Sequence, residues 1–225
     1  MRMGVDSIGS VVRSAPEPNP SPRKSAAGRR RDPTIDERLM RAARTLYARE
    51  GWAGFHFEGV ARTAGVSKDA VYRRYPDAQA LLLDALSAQS VARLADDRPI
   101  EDALVAFACD AFAYFARGDG YANLRVHLDA RQYPEILEQY RLRVPEPQMQ
   151  HAVGVLERAR DDGELHPETS CAAVFEAIGG AIMFHALSSP SGTVSGTEDE
   201  ADSLDPATVR RLTECVQQIL HGRLR

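Results

Sequence analysis

Residues 57–75 read FEGVARTAGVSKDAVYRRY, and no other stretch constrains the fold of this chain as tightly. Phe57, Val60 and Ala61 recur at helical spacing on one face of a short helix. Gly65 then offers the positive φ that ends a helix and turns the chain. Val66 returns to the core, Ser67 is a natural N-cap, and residues 68–75 make about two turns of a second helix. Val71 and Tyr75 fall inward at i, i+4 spacing, which leaves Lys68, Asp69, Tyr72, Arg73 and Arg74 outside. The expectation is a helix-turn-helix, the unit whose second helix is shaped for the major groove.

Charge supports this only when its distribution is considered. The net charge of the 225 residues is −4, which alone opposes a polyanionic partner. Residues 23–75 carry 13 Lys and Arg against 6 Asp and Glu, residues 76–225 carry 13 against 24, and residues 1–22 balance. A basic module on an acidic body suits a chain that grips phosphates at one end.

Residues 1–31 hold alternating prolines and a basic cluster, Arg23, Lys24, Arg29, Arg30 and Arg31, with few apolar groups. They are expected to be a disordered arm, either laid along DNA or simply solvated. A helix-turn-helix domain is expected over 32–77, its first helix starting at Pro33 and ending at Gly51. The remainder, 78–225, reads as a helical regulatory and dimerisation domain, so the fold class is all-α. Asp77 should cap a helix carrying Leu81, Leu82, Ala85 and Leu86 inward. Further helices are expected over 100–117, 120–131, 134–162, 168–188 and 205–222, with a mobile Ser/Gly/acidic loop over 188–205.

No apolar run reaches the ~20 residues of a membrane helix, and the longest, 177–187, contains Gly179, Gly180 and His185 and reads as a buried helix. The N-terminus lacks the apolar core of a signal peptide, so a cytoplasmic location is expected. Cys109, Cys171 and Cys215 are odd in number and scattered through apolar patterns. They read as buried free thiols in a reducing compartment, with a redox sensor as the other reading.

Over residues 34–83 the chain resembles the DNA-binding domain of TetR-family transcriptional regulators. The matching residues are Ala42-Ala43, Leu46-Tyr47, Gly51-Trp52, Val60-Ala61, Ala64-Gly65-Val66-Ser67, Val71-Tyr72, Tyr75 and Leu81-Leu82. Residues 133–187 are similar to the C-terminal domain of one TetR subgroup, through Tyr133-Pro134-Glu135, Leu156-Glu157-Arg158-Ala159 and Gly163-Glu164-Leu165. The resemblance implies a double-stranded DNA operator, a homodimer and a small-molecule effector. Repression released by that effector is the expected outcome, with activation and ligand-independent or architectural binding as alternatives.

Lys68 and Asp69 stand in the exposed first turn of the second helix and are the expected base readers. Lysine donates to guanine O6/N7 and a carboxylate accepts from cytosine N4. Asp69 also suits the positive end of the helix dipole, a purely structural role. Phosphate contacts are expected from Ser67 through the helix start, and from Tyr72, Arg73 and Arg74. Tyr72 matches the family's phosphate-contacting tyrosine, while Arg74 replaces its usual histidine. His56 stands where the family has a capping Thr or Ser that meets a phosphate. Ala78 replaces the lysine that usually opens the next helix, removing one anchor.

For the effector, Phe107, Tyr114, Phe115, Tyr121, His127, Phe175, Phe184 and His185 are candidate pocket residues, plain core being the other reading. For the dimer, Gly179 and Gly180 would permit close helix approach, and Leu212, Val216 and Ile219 form an apolar stripe. That stripe also suits packing within one protomer. An enzyme is not expected, nor a cofactor or metal: the cluster Asp161, Asp162, Glu164 and His166 has no nucleophile, phosphate loop or zinc spacing beside it.

Overall fold

A computed structural model describes residues 33–89, 92–116, 120–189, 204–222 and 224. The expected basic arm over 1–31 and most of the loop expected over 188–205 lie outside these residues. Among the described residues the structure is all-α. Its helices are α1 (Pro33–Glu50), α2 (Phe57–Ala64), α3 (Lys68–Tyr72), α4 (Ala78–Ser87) and α5 (Ile100–Ala116). They continue with α6 (Tyr121–Asp129), α7 (Pro134–Arg143), α8 (Pro145–Asp161), α9 (Cys171–Ser188) and α10 (Pro206–Leu220). One isolated bridge pairs Leu165 with Leu224.

Two boundaries depart from the expected pattern. The single helix expected over 134–162 breaks between Arg143 and Pro145. Proline disfavours helical geometry at the residue before it and cannot donate to the preceding turn, so Val144 leaves the helical region at φ −123°, ψ −71°. The second helix of the motif is also shorter than expected: α3 stops at Tyr72, and Pro76 forces the chain out of the helix within the next turn.

The apolar side chains gather in two clusters. The first holds Leu39, Leu46 and Tyr47 of α1, Val60 of α2, Val71 of α3 and Leu81, Leu82 and Leu86 of α4, all fully buried or nearly so. Ile136 and Tyr140 of α7 close it. The second joins α5, α8, α9 and α10 through Leu104, Leu156, Ile178, Ile182, Leu212 and Val216. Helix α6 belongs to both, presenting Ala122 and Val126 to the first cluster and Leu124 to the second.

Polar contacts reinforce α6 as the connecting element. Arg125 donates from Nη1 to the carbonyls of Ala48 (3.0 Å) and Arg49 (3.3 Å), closing the C-terminal end of α1. Asp129 accepts from the backbone N–H of Trp52 at 3.1 Å. Asn123, 1 % exposed, donates from its amide to the Tyr140 hydroxyl (2.8 Å) and the Leu86 carbonyl (3.3 Å).

Candidate nucleic-acid interface

Local chemistry explains how the motif presents its polar side chains. Helix α2 buries Phe57, Val60, Ala61 and Ala64, then Gly65 adopts the left-handed conformation at φ 62°, ψ 40°. The N–H of Val66 reaches back to the carbonyl of Ala61 at 3.0 Å, so the turn satisfies carbonyls left open at the helix end. Arg38, on α1, donates to the carbonyls of Ala64 (3.0 Å) and Gly65 (2.9 Å) and completes that end.

Ser67 then caps α3, its Oγ accepting from the N–H of Ala70 at 3.3 Å. Ala70 and Val71 face inward, and Tyr75 is buried behind them. Lys68, Asp69, Tyr72 and Arg73 therefore stand outside on a helix whose rear face is anchored. Asp77 caps α4 as expected, accepting from the N–H of Ala80 at 2.8 Å.

Individual groups carry commitments that spacing did not reveal. Lys68 forms an ion pair with Glu58 of α2, and its ammonium lies 5.9 Å above the ring centroid of Tyr72. That ring meets Phe57 edge-on at 4.8 Å, and its hydroxyl donates to Glu58 at 3.4 Å. The hydrogen bond from Lys68 holds the Glu58 carboxyl below its usual pKa and the same contact raises that of Lys68. Both groups are thus charged across the neutral range.

Arg74 is a correction. Expected to reach phosphate, its side chain is only 11 % exposed and pairs with Asp36 at 2.6 Å. It also donates to the carbonyl of Ala70 at 3.0 Å, so it ties α3 to α1. His56 precedes α2 in extended geometry without capping it; its Nδ1 meets the Gly54 carbonyl at 2.8 Å instead. Its ring stands exposed on the motif's outer side.

Residues 39–85 match the family profile of bacterial regulatory proteins of the tetR family. Residues 94–216, more than half of the chain, match the tetracyclin repressor-like C-terminal domain. The chain belongs to the TetR family. It is a DNA-binding transcriptional regulator of that family. The HTH-type transcriptional regulator YdeS of Bacillus subtilis (strain 168) is 26 % identical over 171 residues, covering 73 % of this chain and 84 % of YdeS. The fold is shared with the fatty acid degradation regulator FadR from Bacillus halodurans at a TM-score of 0.61 and 14 % identity, covering 88 % of this chain and 100 % of that one. It is also shared with SmeT, the repressor of the Stenotrophomonas maltophilia multidrug efflux pump SmeDEF, at 0.57 and 16 % identity, over 84 % and 90 % of the two chains.

In this TetR-family chain the aromatic residues considered for an effector do not converge on one place. Phe107 of α5 and Phe175 of α9 meet at 5.2 Å between centroids and pack on the second cluster, against which Phe115 and Tyr121 also lie. Tyr114 adjoins Phe115 at 5.1 Å and donates to the Gln89 side chain at 2.6 Å. Phe184 lies exposed on α9, and the ring of His127 on α6 rests against that of Tyr140 at 6.0 Å. His185 accompanies Phe184, ring to ring at 6.0 Å. A cavity of about 270 Å³ at the start of α9, lined by Thr169, Ser170, Ala173, Ala177 and Ile219 among others, contains none of these aromatics.

The expected dimer residues divide similarly. Leu212 (2 % exposed) and Val216 (1 %) are buried in the protomer's own second cluster, with Ile219 partly buried against it. Gly179 and Gly180 have open space where a Cβ would stand. Helix α9 is not the buried helix its composition implied: 28 % of its residues are buried, and Phe184 and Leu187 are 67 % and 41 % exposed. It is long and apolar enough for a membrane span by composition, but Val174, Ile178 and Ile182 pack it against the second cluster. Burial raises the thiol pKa of Cys109, Cys171 and Cys215, keeping all three protonated at neutral pH.

Proposed function

We propose that this TetR-family regulator is a cytoplasmic repressor that binds a near-palindromic operator as a homodimer and leaves it when a small molecule enters the helical body. The observation that carries the reading is the exposed N-terminal turn of α3, held on a buried rear face. Lys68 and Asp69 are the base readers, and Ser67, Tyr72, Arg73 and His56 the phosphate contacts. Arg74 positions the helix. Residues 32–77 act as the reader, 78–225 as the regulatory and dimerisation domain, and the arm over 1–31 adds phosphate contacts.

One motif covers too little DNA for high affinity, so two copies related by a two-fold axis are required. The outward face of α9, with Ala177, Gly180 and Phe184 exposed, supports dimerisation through that helix. The Phe107–Phe175 pair and its partly buried neighbours support an apolar effector site within the body. Helix α6, in contact with both clusters and with the end of α1, supports a route from that site to the reader. SmeT, a repressor in its own organism, agrees with the sign of regulation.

Selection of bound fragments from the source genome tests this reading. A palindromic consensus and retention as a dimer in sedimentation are expected, with release by compounds related to the neighbouring genes. Uniform binding along DNA, or a monomer at micromolar concentration, overturns it. Deleting residues 1–31 is expected to weaken binding and flatten its salt dependence.

A further inference from the structure

Glu58 is an acidic residue on a face that must meet a polyanion, and it makes two contacts with the expected DNA readers. It is the second residue of α2, exposed, and its carboxylate spans the gap to α3. There it pairs with Lys68 and accepts from the Tyr72 hydroxyl at 3.4 Å. Phe57 packs T-shaped against the Tyr72 ring, and the Lys68 ammonium lies over that ring. One carboxylate thus organises a base reader and a phosphate contact before DNA arrives. An ion pair this exposed contributes little to stability.

We infer that Glu58 is a specificity-determining residue of the DNA face, holding Lys68 from indiscriminate phosphate contact and offering an acceptor beside its donors. The inference rests on Lys68 reading bases. When Lys68 meets a random phosphate, the carboxylate it keeps is brought beside the backbone charge, and that like-charge repulsion is lost affinity. At a guanine no such loss occurs. The ammonium has three donors, so O6 and N7 can accept while one N–H remains on Glu58. The second carboxylate oxygen is then free to accept from N4 of a neighbouring cytosine. The pair therefore penalises the wrong contact and fits the right one.

The test compares wild type and Glu58→Gln on two duplexes: the tightest sequence selected from a random pool by the wild-type protein, and a scrambled duplex of the same composition. Glu58→Gln is expected to bind the scrambled duplex more tightly and to lose about tenfold in the ratio of the two affinities, the scale of one base-edge contact. Repeating the selection with Glu58→Gln should relax preference at one position of each half-site. In a Lys68→Met background, Glu58→Gln should leave the ratio unchanged. An unchanged ratio in the single variant, or equal gains on both duplexes, overturns the inference. A ratio that still falls without Lys68 shows that Glu58 acts alone and overturns the paired mechanism. Failure of the wild-type selection to yield any consensus would instead defeat the operator reading itself. Glu58→Asp, which keeps charge but shortens reach, provides a second variant and should lose part of the ratio.

Discussion

On the edge formed by α2 and α3 the exposed Lys68, Glu58 and Tyr72 are already engaged with one another, whereas one exposed face of α9 is apolar and meets water. Lys68, Glu58 and Tyr72 form one contact group, and Arg74 with Asp36 forms another behind it. Phe184 and Leu187 lie outward on α9, beside Gly180 and Ala177. The difference shows two ways in which a folded surface waits for a partner. Polar groups can be pre-paired at little cost and keep one partner while taking another on DNA. Apolar groups have no interim partner and favour association as soon as a complementary face is available. Helix α10, beside α9, sharpens the contrast, because its apolar stripe is already buried within the protomer.

The largest expected effect separates α10 from α9. Leu212→Ala should cost about 2–5 kcal/mol of unfolding free energy, as for a buried leucine, measured by chemical denaturation. A midpoint that does not move would show that this stripe is not core. Phe184→Glu should leave helix content intact and weaken self-association by more than about tenfold, because it places a charge on a face that must desolvate. Sedimentation of an undisturbed dimer would remove α9 from the interface.

At the other end, Arg74→Ala should destabilise the fold by on the order of 1–3 kcal/mol, because it removes the tie between α3 and α1. It should not change the salt dependence of DNA binding, whereas Arg73→Ala should lower the slope by about 0.9. The reverse outcome would return Arg74 to the phosphate contacts.

The smallest effect is invisible near neutrality. Burial pushes the hydroxyl of Tyr140 up to about 12, and Tyr47 is raised further, first by burial and then by Asp129. The folded state therefore keeps protons that the unfolded chain releases near ~10, so stability is full below that pH and declines as pH rises toward 12. Tyr140→Phe should flatten the alkaline limb of a stability–pH curve; an unchanged limb would show that this hydroxyl does not titrate on unfolding.

What could be recognised from sequence followed the range of the interactions. The Gly65 turn, the Ser67 and Asp77 caps and the inward set of Val60, Ala61, Val71 and Tyr75 depend on neighbours within a few residues. The break at Val144-Pro145 was equally local, but the long apolar periodicity around it concealed the proline signal. Arg38 and Arg125 gave no sequence sign of their roles, since they close helix ends 26 and 77 residues away. The same holds for Arg74, whose partner Asp36 lies 38 residues back.

The chain's own periodicity, caps and breakers determined that it would be helical, where the reader helix begins and which of its positions face outward, because backbone geometry and capping are settled within one or two turns. Only the tertiary structure decided which of the outward groups remain available. A stripe such as Leu212–Val216 fits a protomer core or a partner equally well by pattern. An arginine fits a phosphate or a half-buried carboxylate equally well by charge. The choice between them depends on what the fold brings alongside, and that is set by packing across the whole molecule.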